Sequence, residues 1–455
     1  MPDKNTDARP LRKILGLGFG LAMAFGGTVG VGILRLPGTL AGTLGDPLLI
    51  ALFWVLGALY AALGAVAIAE LATMMPQAGG FYVYARRAFG RGIGFVVGWN
   101  DWGNNVAAIA YASITAAAFL AEIWAPAATS PKLVAIGLVA TFSALHWVGL
   151  RFSSALTGLI SVTVGLMFLG LVIACFAVTP APHAAAAPLG PTAATLPLGS
   201  IAMLGMLAAA MRSVLVTFDG WYSPIYFAEE NTNPSTTLPR AIVGGTVLIG
   251  AFYLVINLAM LKVLPLPVLA AAVLPAAEAA STVLPSGGAL LVKWISLVTV
   301  LSLVNATLLM TPRILLAMGR DGLFVRRAAS VSAGGAPRPA LALTSLAAIA
   351  LIATGTFEQI VSLAAVLFLL NYLSAYASVF VLRRREPAAI RPYRAIGFPV
   401  TTAIVLLGSV LFLAAAVADD HRSGLIAAVL MAAVAALYRV LARLRIRDGG
   451  DAAGR

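Results

Sequence analysis

Two stretches of this chain hold residues that a regular membrane helix disfavours, and both lie inside long apolar runs. One is Gly26-Gly27-Thr28-Val29-Gly30-Val31-Gly32, in the first run. The other is Phe218-Asp219-Gly220-Trp221, in the sixth. Glycine accepts the dihedrals of unwound chain and lets a ligand come close to the backbone. A helix that restarts at Ile33 and Leu34 would present bare amides at a positive dipole end, which seats a carboxylate. At the second stretch, half-helix ends and unpaired carbonyls would accept an ammonium group or a cation. A molecule bearing both charges, such as an amino acid, satisfies both. Gly26 and Gly30 alone, spaced i and i+4, also fit a helix-packing position. The full glycine run taken with Asp219-Gly220 favours two breaks.

The surrounding elements must be membrane helices. The chain has 455 residues, of which 61% are hydrophobic and 10% charged. Its mean hydropathy is +0.97. A soluble protein carries about 25% charged residues, so the solvent here is lipid. Apolar runs of about 20 residues fall at 14–42, 47–75, 92–124, 132–150, 154–179, 199–228, 239–264, 289–318, 340–357, 359–382, 393–418 and 423–446. That predicts an all-α integral membrane protein of twelve transmembrane helices. Inside lipid, irregular backbone is tolerated only where it lines a cavity or is buried in protein. Two breaks five segments apart predict an inverted-repeat transporter with its site at the midplane. The expected parts are a tail over 1–13, a five-helix repeat over 14–180, an outer loop over 181–197, and a second, inverted repeat over 199–383. Two plainer helices and a C-terminal tail fill 384–455.

The net charge of +13 is sided. Arg86, Arg87, Arg151, Arg240, Arg313, Arg320 and the Arg383-Arg384-Arg385 run fall on one side. Only Lys132, Lys262, Lys293 and Arg422 fall on the other. This positive-inside pattern predicts both termini in the cytoplasm of a multi-pass cell-membrane protein, and it argues against a nucleic-acid partner. The lone Cys175 excludes an intrachain disulfide, and His146, His183 and His421 are too scattered for a metal motif. The Gly-rich first run lacks a signal-peptide cleavage site and is expected to stay in the mature protein. No catalytic constellation is present, so an enzyme is not expected.

Intramembrane polar residues default to function. Arg35 and Arg212 flank the two breaks and would line an outer vestibule, or else pair with an acid such as Glu122. Glu70 is expected to pair with Arg86 or Arg87. Polar stripes at helical spacing run through Asp101, Asn104 and Tyr111, through Thr299, Ser302 and Asn305, and through Asn371, Ser374 and Ser378. Asn104 and Trp221 are further candidates for the substrate site or its gate. Gly27 with Ser302 and Asn305 is the candidate cation site.

The chain resembles the amino acid–polyamine–organocation superfamily, in the amino acid transporter branch that includes the light subunits of heteromeric exchangers. The resemblance rests on six pieces in order. They are Gly30-Val31-Gly32-Ile33-Leu34 with Pro37-Gly38; Glu70-Leu71 through Met75-Pro76-Gln77-Ala78-Gly79-Gly80-Phe81-Tyr82; Ala88-Phe89-Gly90 with Gly98-Trp99; Phe218-Asp219-Gly220-Trp221; Glu229-Glu230 with Leu238-Pro239-Arg240; and Pro312-Arg313 with Ala317-Met318-Gly319-Arg320-Asp321-Gly322. It implies a leucine-transporter-type core of five plus five helices with two extra. It also implies that the backbone of Thr28, Val29, Gly30, Val31, Gly32 and Ile33 holds a carboxylate. The carbonyls of Val216, Thr217, Phe218 and Asp219, next to Gly220, would face the amine. The sequence departs from the family pattern at three places. Val31 stands where serine is common, Val216 where an aromatic gate is common, and Val164 where many bacterial members have a lysine. Coupling to protons, coupling to sodium, exchange and facilitated movement all stay open. No cofactor is expected, and no partner subunit is required. The rivals are a polyamine or amine carrier, a channel and a membrane sensor.

Overall fold

The computed structural model describes residues 10–30, 32–178, 189–355 and 357–452. Val31, the first nine residues of the tail, and 181–188 of the expected outer loop lie outside them. The described residues form helices and turns, without a β-strand. In order, the α-helices are α1 Leu17–Thr28, α2 Gly32–Leu44, α3 Pro47–Met74, α4 Phe81–Phe89, α5 Arg91–Ile123, α6 Pro131–Val148, α7 Leu150–Ala177, α8 Ile201–Thr217 and α9 Pro234–Pro239. They continue as α10 Gly245–Val263, α11 Leu266–Ala271, α12 Pro275–Val283, α13 Gly288–Met310, α14 Pro312–Arg320, α15 Arg338–Thr354, α16 Phe357–Arg385, α17 Val400–Asp419 and α18 His421–Ala452. A helix satisfies its own backbone where lipid offers no partner, which is why apolar sequence takes this form. Local signals set the starts. Pro47 opens α3 behind Asp46, whose side chain accepts from the Leu49 amide at 2.8 Å, and Ser200 caps α8.

Nine helical stretches among the described residues are long and apolar enough to span a membrane, and α1 with α2 makes a tenth, bent by 49°. The other two expected segments are α8 and α15, at 17 residues each, shorter than the ~20 of a straight span. α8 is short because its segment breaks at Thr217 and resumes as a 3-10 helix over Ser223–Glu230. The buried centre is α5, packed on α4, α6, α13, α15 and α16. The last two spans, α17 and α18, bury the smallest share of their surface.

The two described chain ends lie on one face. The backbone at Ile14 and Leu15 donates to the Glu230 carbonyl, at 3.0 Å each. Tyr438 of α18 packs on Phe95 at the start of α5. Ion pairs crowd this terminal face. Arg313 meets Glu230 in a fully buried fork of 2.6 and 2.8 Å. Arg320 holds Glu229 at 2.8 Å, Arg87 holds Glu386 at 2.6 Å, and Arg86 pairs with Asp321. The expected pairing of Glu70 is corrected: its partners are Arg383 and Arg391, and its carboxylate also accepts from the Ala395 amide at 2.6 Å. Arg86 and Arg87 are taken by the nearer Asp321 and Glu386.

Candidate functional site

The two breaks meet. Helix α1 ends at Thr28, Val29 is extended, and α2 starts at Gly32. Gly26 and Gly27 are still helical, so the irregular stretch is shorter than the glycine run suggested. In the sixth segment, Gly220 adopts φ +112°, a region that favours glycine. A Cβ there would lie 2.0 Å from the Gly27 carbonyl oxygen, and a Cβ on Gly27 would lie 2.4 Å from Ser223 Oγ. Backbone crosses backbone at this point. A third element ties the crossing. The Tyr253 hydroxyl, from α10, lies 3.0 Å from the Thr28 carbonyl and 3.0 Å from the Thr217 carbonyl, and donates to both.

Beside the crossing is a cavity of about 360 Å³. Of the expected site residues, Gly27, Thr28, Gly30, Gly32, Arg35, Asn104, Val216, Thr217, Asp219 and Gly220 line it. The walls are completed by Asn105, Ala108 and Tyr111 of α5, Leu303 and Thr307 of α13, and Phe368 of α16. Arg35 is exposed at the rim. The first-turn amides of α2, which any helix start leaves without an intrahelical acceptor, border the space. Asp219 also lines the cavity, and its Oδ1 accepts from the Tyr372 hydroxyl at 2.8 Å. Tyr222 also lines the cavity, inside a cluster of rings with Phe81, Tyr226 and Tyr372.

Several expected residues lie elsewhere. Val29 and Ile33 are fully buried and contribute no side chain to the cavity. Phe218 packs against Trp54 and Tyr253. With Arg212 and Trp221 it lines a second, mostly apolar hollow of about 70 Å³ between α3, α8, α16 and α17. Val216 and Phe368 border both spaces. Trp221 stacks on Tyr372 there. Glu122, the suggested partner for the two arginines, pairs with Lys293 at 3.6 Å instead. The carbonyls expected to face an amine are partly engaged: Thr217 by Tyr253, and Val216 by the Asp219 amide at 3.2 Å.

The candidate cation site does not assemble as expected. Gly27 faces Ser223 of the second break, while Gly26 faces Ser302 and Ser161. Adjacent residues of a helix point about 100° apart, so only one of the two glycines can face α13. Ser161 Oγ donates to the Ala22 carbonyl at 2.9 Å, so Ser161, rather than the buried Val164, makes the polar contact from α7 to α1. Asn305 Nδ2 donates to Thr157 Oγ1 at 2.9 Å, while its Oδ1 is buried without a hydrogen-bond partner. Among the described residues, no group of three His, Cys, Asp or Glu could hold a metal ion. Asp101 is fully buried behind Asn104 and Asn105 and does not line the cavity. Sequence reasoning missed Tyr253, Tyr372 and Asn105. Asn105 had a signal, since it sits next to Asn104. A tyrosine in an apolar run gives none.

Comparison with known proteins agrees with this architecture. The amino acid permease family matches residues 20–441. The serine/threonine exchanger SteT of Bacillus subtilis (strain 168) is 25% identical over 426 residues, covering 92% of this chain and 94% of that protein. The branched-chain amino acid permease BcaP of Lactococcus lactis subsp. cremoris (strain MG1363) is 23% identical, covering 86% of each chain. The b(0,+)-type amino acid transporter 1 of Mus musculus is 25% identical, covering 89% of this chain and 82% of that protein. Family and fold together make the chain a multi-pass membrane transporter rather than an enzyme. It belongs to the amino acid permease family.

Proposed function

We propose that this chain carries amino acids across the cell membrane by alternating access, with the substrate held where the two breaks cross. The observation that carries this reading is the charge layout of one cavity. The start of α2 at Gly32, with Arg35, and the Asp219 carboxylate line the same space. The first group suits an α-carboxylate and the second an α-ammonium. The relatives named above act on amino acids, which supports the same class here. Neutral amino acids are the first choice. Arg35 at the rim favours acidic ones as the second reading. A polyamine would need several acidic wall residues, and Asp101 is not one of them.

The two repeats, 14–180 and 199–383, would rock about the crossing, with both termini in the cytoplasm. On this reading, the buried Arg313–Glu230 pair and the rings of Phe81, Tyr222, Tyr226 and Tyr372 close the inner route in this state. They part in the other. The test uses purified protein in liposomes, offered labelled serine, threonine, leucine, isoleucine and aspartate, with sodium and proton gradients imposed in turn. Accumulation or exchange of at least one supports the reading. Movement of none ends it. Asp219→Asn should raise KM for the carried amino acid about tenfold or more, through loss of a charge-assisted contact worth ~1.5–3 kcal/mol.

A further inference from the structure

One intramembrane acid has no role in the site described so far. Asp101 of α5 is fully buried and belongs to none of the ion pairs among the described residues. Its Oδ1 accepts from the Tyr226 hydroxyl at 2.7 Å, from Asn105 Nδ2 at 3.0 Å and from Asn371 Nδ2 at 3.2 Å. Its Oδ2 is buried with no hydrogen-bond partner. Burial without a cation works against the charged form, while three donors on one oxygen work for it. A group held between two such opposed influences can bind and release a proton reversibly. A metal ion fits this spot poorly. It wants oxygen lone pairs, whereas the side chains aimed at Asp101 offer O–H and N–H donors.

Among the described residues, the neighbouring elements supply no competing cation. Of the titratable groups that act electrostatically on Asp101, Tyr226 touches it, while Tyr84, Tyr222 and Asp219 act without a direct hydrogen bond. On α4, Arg86 and Arg87 are paired with Asp321 and Glu386. On α6, His146 bonds Ser153 and the Asn305 carbonyl. On α13 and α14, Lys293, Arg313 and Arg320 hold Glu122, Glu230 and Glu229. On α15, Arg338 donates to the Trp147 carbonyl. On α16, Arg383 holds Glu70, and on α18, Arg439 is exposed.

Asp101 is nonetheless within reach of the cavity, because Asn105 borders the cavity and bonds Asp101. Its donors come from three places: α5 itself, the half-helix after the second break, and α16. A charged Asp101 binds these pieces together. A neutral one holds them less firmly.

We propose that Asp101 is the proton-binding residue through which this transporter couples to a proton gradient. A hydronium reaching the cavity gives its proton to the carboxylate, leaving water and a carboxylic acid. The reverse transfer to water takes place after the route opens on the other face. The proposal rests on the reading of the chain as an amino acid carrier, and its first test needs no substrate.

Purified protein is titrated with acid while infrared absorption reads the carbonyl stretch of protonated carboxyls. A titrating band in the wild type that is missing in Asp101→Asn supports the proposal. The same band in both overturns it. Tyr226→Phe covers the case in which the first variant does not fold. Loss of its donor should move the band's midpoint to higher pH by about one unit, and an unmoved midpoint overturns the proposal. In liposomes, an inward gradient of about one pH unit should support about tenfold accumulation of whichever amino acid is exchanged. Asp101→Asn should lose the accumulation and keep exchange. Equal accumulation by variant and wild type overturns the proposal. If no amino acid moves at all, the functional reading fails, and the infrared result still decides whether Asp101 binds a proton.

Discussion

The two breaks do similar work with different materials. The second is jammed: Gly220 lies against the Gly27 carbonyl with no room for one more carbon. The first is bare: a Cβ on Gly30 would find nothing closer than 3.8 Å. Glycine is needed at Gly220 because protein presses on it. At Gly30 its value is the open space it leaves beside a ligand. A glycine-rich break therefore is not one device. One of these is a pivot and the other a seat.

Substitutions can break that distinction. The largest effect is expected for Gly220→Ala. A side chain at positive φ costs ~1–2 kcal/mol, and overpacking against the Gly27 carbonyl adds ~1–3 kcal/mol. Thermal unfolding in detergent should fall markedly and transport should vanish. A variant that melts and transports like the wild type would remove the pivot. Next comes Gly30→Leu, which should fill the cavity and abolish uptake while leaving the melting temperature unchanged. If it melts like Gly220→Ala, the two breaks are alike after all. Tyr253→Phe should be milder. It leaves two buried carbonyls short of a donor, at about 1–2 kcal/mol, and should slow uptake without ending it.

The smallest effect is expected far from both breaks. Arg87 holds the Glu386 carboxyl below its ordinary value of 4.5 through a hydrogen bond and its charge. A depressed carboxyl contributes stability that is full above the unfolded value and is lost as pH falls through the lower folded one. Both side chains are about a third exposed or more, so the pair is worth under ~1 kcal/mol. Arg87→Gln should flatten the acid limb of the melting curve slightly and leave uptake unchanged. A change in uptake would mean that this pair takes part in gating.

Much of the site was legible because breaks are local. Glycine runs and Asp219-Gly220 mark themselves, and most of the residues named from them do line the cavity. What escaped depends on direction and distance. Whether Gly26 or Gly27 faces α13 turns on where the helix stops, which differs by a single residue. Arg212, expected in an outer vestibule, and Trp221, expected at the substrate site or its gate, lie on the side of α8 and the turn that faces the second hollow. Glu70 finds Arg383 at a separation of 313 residues, where spacing carries no signal. Tyr253 is one aromatic in an apolar helix, and nothing nearby tells it from lipid-facing neighbours.

The Tyr253 hydroxyl has a consequence for motion. One phenol proton is shared between chain that ends α1 and chain that ends α8. Any swing of one segment must either drag the other along or snap that shared link. The tyrosine thus yokes the two halves of the shutter, and the strength of a single hydrogen bond sets how far they can fall out of step.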